Sequence, residues 1–165
     1  MINFGYTNPW LWLNCNNFID GDTGEKLEFT SLDVGGGAPE ALDIPLGKKV
    51  LVAFYHENEL YEYNFSKLWE YSNQKFDVSL TDSDIYWDIE AKDANSKIEI
   101  SFSNPKSKML KVNYENPRGE WDHKELWNGG HAEGTVRLYK RIGLNYVLQK
   151  TFFGSNGGCE YGKYE

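Results

Sequence analysis

Cysteine is nearly absent from this 165-residue chain, with Cys15 and Cys159 the only two. Two thiols without a Cys-x-x-Cys pair cannot build a secreted disulfide scaffold and lack zinc or dithiol spacing, so buried, idle thiols are expected. Histidine is equally sparse: among His56, His123 and His131 no pair has the helical or hairpin spacing of metal ligands, and no metal is expected. Positive charge is also short. Seventeen Lys and Arg stand against 25 Asp and Glu, for a formal charge of -8. This argues against nucleic acid as a partner, because phosphate affinity comes from neutralising cations. No apolar run is long enough to span a bilayer, and Met1-Ile2-Asn3-Phe4-Gly5 has neither a charged n-region nor an apolar h-region. The expectation is a soluble, cytoplasmic protein, in which the sequon Asn64-Phe65-Ser66 carries no sugar.

Cofactor motifs are missing as well. Gly35-Gly36-Gly37 lacks the Gly-Lys-Ser/Thr ending of a phosphate loop, and His131-Ala132-Glu133 lacks the Pro-Cys-x-x-Cys partner of zinc deaminases. No cofactor is expected.

What the chain does have is aromatic side chains, 16% of its residues, within a hydrophobic share of 40%. The length fits one domain with a sizeable core. Apolar and polar residues alternate from end to end, the pattern of an antiparallel sheet with one buried face. Expected strands are Trp10 to Phe18, Lys26 to Val34, Lys49 to His56, Leu60 to Phe65, Lys75 to Leu80, Ile85 to Lys92, Lys97 to Ser103, Lys108 to Tyr114, Gly134 to Arg141 and Tyr146 to Phe153. Short turns such as Glu57-Asn58-Glu59 and Asp93-Ala94-Asn95-Ser96 join neighbours. About ten short strands must hide their edges, which an up-and-down antiparallel β-barrel does by closing, with a β-sandwich as the other solution. Ile85, Trp87, Ile89 and Ala91 alternate with Tyr86, Asp88 and Glu90, so these carboxylates are expected to face solvent. Lys49 to Tyr55 is apolar on both faces, which implies a cover such as the Ala38 to Leu46 segment, another subunit or a further domain.

Along the first strand Trp10, Trp12, Asn14, Asn16 and Phe18 fall on one side and Leu11, Leu13 and Cys15 on the other. The second set reads as packing. A buried amide without a partner costs roughly 1–3 kcal/mol, so the first set suits a cavity holding water or a ligand. The long segment Glu115 to Glu133, dense in Trp, His, Asp and Glu, reads as a lid or rim, or as a surface loop pinned by Trp121 and Trp127. A bulge at Gly129-Gly130 decides which face of Gly134 to Arg141 is interior.

Pro9-Trp10-Leu11-Trp12-Leu13-Asn14-Cys15-Asn16-Asn17-Phe18, then Thr23-Gly24-Glu25 and Gly35-Gly36-Gly37, resembles the C-terminal half of the tocopherol cyclase family. Leu60-Tyr61-Glu62-Tyr63 and Gly134-Thr135-Val136-Arg137-Leu138 fit the same register, so the resemblance covers nearly the whole chain. It implies a lipocalin-like barrel and a hydrophobic, prenylated or aromatic small-molecule partner. It also implies acid-assisted cyclisation or hydration of a prenyl alkene. That chemistry needs an acid, aromatic faces for a developing cation, and a base. Under the resemblance Trp10, Trp12, Tyr61, Tyr63 and Trp127 supply the aromatic wall and Asn14 and Asn16 orient an oxygen. Glu133 and Glu160 are the candidate acids and His131 the base. Because the pattern is that of the family's second half, a homodimer or a partner barrel domain would complete a site shared between halves. Two readings of other classes stay open: a non-catalytic interaction or structural barrel, and a carbohydrate-binding β-sandwich that stacks sugars on its tryptophans.

Overall fold

The computed structural model describes residues 8–38, 40–41, 44–45, 47–64, 73–113 and 123–164. Turn residues and alternating apolar stretches divide these into β1 (Trp10–Cys15), β2 (Phe18–Asp20), β3 (Lys26–Leu27), β4 (Thr30–Gly37), β5 (Glu40–Ala41), β6 (Ile44–Pro45) and β7 (Lys49–His56). There follow β8 (Glu59–Tyr63), β9 (Asn73–Leu80), β10 (Asp84–Lys92), β11 (Ser96–Pro105), β12 (Met109–Lys111), β13 (His123–Ile142) and β14 (Asn145–Tyr164). A single 3-10 turn, Lys106–Lys108, is the helical element among the described residues, and no helix there is long and apolar enough to cross a membrane.

Twelve strands form one antiparallel sheet, with the order β8-β7-β4-β1-β14-β13-β11-β10-β9 along its main path. β12 extends β13, the β2–β3 pair lies against β14, and β5 and β6 form a separate ladder. The first and last strands are therefore neighbours in the middle of the sheet, and the path ends at β8 and β9. Side chains link its two halves: Lys48 to Asp77 at 3.5 Å, Lys140 to Glu59 at 3.3 Å, and Tyr63 to Ser96 at 2.9 Å. The sheet is curled, and its concave face holds the core.

That core is filled by side chains, the largest fully buried being Trp87, Tyr63, Phe18, Phe54, Phe102 and Phe152. Phe54 meets Phe152 edge-on at 4.9 Å between centroids and Phe18 at 6.1 Å. Each such side chain contributes roughly 1.5–3 kcal/mol by leaving water, so this cluster carries much of the fold. Ile85, Trp87, Ile89 and Ala91 are buried as their alternation requires, while Tyr86 and Asp88 are exposed and Glu90 half-buried. In β7, Val50, Val52 and Phe54 are buried and Leu51, Ala53 and Tyr55 half-buried, so its second apolar face is the convex one.

Several expectations need correction. His123 to Glu133 belongs to β13, although its glycines and charges break any alternation. Pairing with the equally long β14 supplies the backbone partners, and register shifts at Gly129/Ala132 and Ala132/Gly134 absorb the irregular residues. Residues 114–122 of the expected lid lie outside the described residues, as do Phe65, Ser66 and part of Ala38 to Leu46. Phe18 shares the core face with Leu11, Leu13 and Cys15, not the face of Trp10. The chain breaks step at Asn16-Asn17, where two residues instead of one separate Cys15 from Phe18. Asn17 then returns to β14 through Nδ2 to Ser155 Oγ at 2.7 Å and by accepting Ser155 N–H at 3.0 Å.

Candidate functional site

The residues singled out on the first strand lie outside the core. With Leu11 and Leu13 buried, alternation puts Trp10, Trp12 and Asn14 on the convex face, each half-exposed. Glycines on the neighbouring strand make room for both rings. Trp10 pairs across with Gly162 and covers it, and Trp12 leans diagonally onto Gly158, where a Cβ would come within 3.2 Å of the ring. The Trp12 indole N–H donates to Asp33 Oδ1 at 3.1 Å, and Asn14 Oδ1 accepts the Gly158 N–H at 3.0 Å. Asn14 and exposed Asn16 line a cleft of about 320 Å³ with Ser31, Asp33, Tyr55 and Asn156.

Three other predicted ligand residues point inward. Tyr63 is buried, and Tyr61 packs on the core with its ring 6.4 Å from that of Phe54. The Tyr61 hydroxyl donates to Glu59. Trp127, on β13, packs against the other end of the core. The expected aromatic wall is thus divided between the two faces of the sheet.

At the Trp127 end the interior becomes polar. Asn104 on β11 is 0% exposed, and among the described residues neither its Oδ1 nor its Nδ2 makes a hydrogen bond of ordinary geometry, the Cys159 thiol beside it being a weak partner; the buried Nε1 of Trp127 has no partner among them. Gly129 pairs with both Met109 and Cys159, and a Cβ there would collide with Asn104 Nδ2 and come within 3.3 Å of Cys159 Sγ. Asn104, Met109 and Cys159 therefore meet at Gly129, two residues along β13 from Trp127. Burial pushes the Cys159 thiol up to about 12, despite the Asn104 side chain and the Gly129 backbone beside it. Nearby, the Trp87 indole N–H donates to the Glu160 carbonyl at 3.2 Å. The Lys106 and Lys111 ammonium groups each stand 5.4 Å from the Trp127 ring centroid, which suits cation–π attraction. Asn104 was missed in the sequence, although its signal was present: it continues the inward series Ile98, Ile100, Phe102 one step past the expected strand end.

The predicted acids and base are not gathered there. His131 and Glu133 are exposed on β13, within the two register shifts that flank Ala132. Glu160 is half-buried opposite Trp12 and accepts from Asn128 Nδ2. His56 is the buried histidine among those described, and it shares a 2.9 Å hydrogen bond with Thr30. Among the described residues no group of three or more His, Cys, Asp or Glu could hold a metal ion.

Comparison with family models, with curated proteins and with solved structures gives no match.

Proposed function

We propose that this chain is a tocopherol-cyclase-like, lipocalin-like barrel that binds a hydrophobic small molecule, prenylated or aromatic, by its polar head. The head would sit at the Asn104–Trp127 end of the interior. The observation that carries this is a set of three buried polar atoms, Asn104 Oδ1, Asn104 Nδ2 and Trp127 Nε1, that make no ordinary hydrogen bond among the described residues, the Asn104 amide having only the weakly bonding Cys159 thiol beside it. Leaving such a group unsatisfied costs roughly 1–3 kcal/mol. A phenol or carbonyl oxygen of a guest can accept from Asn104 Nδ2 or from Trp127 Nε1, and a phenolic hydroxyl can donate to Asn104 Oδ1. Met109 and the Trp127 ring offer the apolar contact that an aromatic head needs. Deeper in, Trp87 and Phe102 already fill the space, so a prenyl tail would have to leave by the rim. The barrel part of the reading is supported by the sheet order, in which the large strands neighbour each other in succession and β1 meets β14.

Cyclisation or hydration of a prenyl alkene would further require a protonated carboxyl close to the guest. Glu160 sits between Cys159 and Tyr161, which face the core, so alternation turns its own side chain to the convex face with Trp12. Its side chain is engaged by Asn128. Binding is therefore the function proposed, with catalysis read out in the same experiment.

The test is titration of tryptophan fluorescence with a prenylated hydroquinone, retinol and palmitate. Saturable quenching by the prenylated hydroquinone that disappears in Asn104→Leu and Trp127→Phe is expected. No response to any of the three would overturn the proposal. Mass spectrometry of the incubated quinol distinguishes binding alone from hydration, which adds one water, and chromatography detects a cyclised isomer of equal mass.

A further inference from the structure

The convex-face cleft has a chemistry of its own, distinct from that of the interior cluster. Its outward side chains are Asn14, Asn16, Asn156, Ser31 and Asp33, with Tyr55 and Leu60 forming an apolar edge. Among the described residues no Lys or Arg lines it, so phosphates, uronates and other anions find no counter-charge from them. At about 320 Å³ it falls within the size range of small-molecule pockets.

Two of its polar groups are held in place by bonds that leave their other atoms available. Gly158 N–H holds Asn14 Oδ1, which leaves the Nδ2 hydrogens as donors. The Trp12 indole holds Asp33 Oδ1, which leaves Oδ2 as an acceptor. Asn156 adds an independent observation. It stands at φ 54°, and the other non-glycine residues with positive φ among the described residues, Glu57 and Asn58, form the β7–β8 turn. Glycine adopts that conformation without steric penalty, and Gly157 and Gly158 follow directly in the chain. An asparagine at this position retains a strained backbone together with an exposed amide on the cleft.

We infer that this cleft is a binding site for a neutral pyranose ring. Vicinal hydroxyls require closely set donors and acceptors of the amide and carboxylate kind, and the C–H face of the ring packs on an aromatic edge such as Tyr55. Amides, a hydroxyl, one carboxylate and one aromatic ring, without a cation, match that guest.

The experiment is a ¹H–¹⁵N titration of the full chain with the methyl pyranosides of glucose, galactose and mannose, with methylammonium and glucuronate as the competing probes. At least one neutral pyranoside is expected to shift Asn14, Asn16, Asp33 and Asn156 with a dissociation constant of roughly 1 mM, the range for a ligand of this size. Asn156→Gly should weaken that binding about fivefold, the worth of one neutral hydrogen bond, while its melting temperature stays equal or rises. No shifts with any pyranoside, a response to methylammonium or glucuronate alone, or unchanged affinity in Asn156→Gly would each overturn the inference. Because these readouts lie on the convex face, their failure leaves the interior proposal standing, and the reverse holds too.

Discussion

Tyr63 at the end of β8 and Ser96 at the start of β11 share a buried hydrogen bond of 2.9 Å. Ser96 Oγ also donates to Asp93 Oδ1 at 3.2 Å, so the Tyr63 hydroxyl is the donor between the two. The contact ties an end strand of the sheet to the opposite half. Tyr63→Phe keeps the ring and removes this link. It should lower unfolding free energy by about 1 kcal/mol, read in urea denaturation as a lower midpoint with an unchanged slope.

The glycine triplet contains positions of unequal importance. A Cβ at Gly35 would meet nothing within 4 Å, whereas at Gly36 it would stand 2.8 Å from the Lys49 carbonyl and 3.1 Å from the Val50 side chain. Gly35→Ala should be neutral within about 0.5 kcal/mol. Gly36→Ala should cost about 1–3 kcal/mol through overpacking. Thermal melts of the two variants side by side check the difference.

Acid should weaken the fold through His56. Burial lowers its pKa below the ordinary 6.5, and the nearby Lys150 charge acts the same way, while Glu57, Asp20 and Glu59 oppose the shift. The folded state thus prefers the neutral ring. The unfolded chain takes up the proton first, so this contribution is full above pH 6.5 and is lost as pH falls through that value toward the folded pKa. Asp20, held down to about 2 chiefly by its bond to Lys150, titrates in a separate window below 3.8. The urea midpoint should therefore fall from about pH 7.5 to about pH 5, and His56→Gln should flatten that slope.

Asn104→Leu should leave the ligand-free protein equally stable or more stable, by up to about 1 kcal/mol, because it removes two buried atoms that make no ordinary hydrogen bond among the described residues. Calorimetry without and with the prenylated hydroquinone would show the substitution removing any ligand-dependent rise in melting temperature. A large loss of stability in the free variant would mean that the amide is satisfied in solution.

Neither thiol should react in the folded state. Burial raises both pKa values, and the Cys15 thiol also donates to the Asn17 and Ser155 carbonyls. Ellman's reagent should find no thiol in native buffer and two in denaturant; fast labelling of either native thiol would contradict the burial.

Most of the strands were legible because they alternate and are bounded by turn residues, as in Ile85 to Lys92 and Lys97 to Ser103. The half of the β13–β14 ladder next to its turn was legible as Gly134 to Arg141 and Tyr146 to Phe153, but its extension over 123–133 was not, because glycines and charges there conceal the period and only the facing strand completes its hydrogen bonds. The predicted site divided for a related reason. Trp12 and Asn14 share a face with each other but not with Trp127, and no spacing within the chain expresses that relation.

By itself the sequence determined which residues lie on the same side of each strand, since side-chain direction has a period of two. It also placed the tight turns, through residues that tolerate them. Only the tertiary structure decided which side is concave, because curvature arises from how strands twist against their partners and is not encoded in any one strand. That choice put Trp10, Trp12 and Asn14 on the convex face and enclosed Asn104 and Trp127 Nε1 without an ordinary hydrogen bond among the described residues.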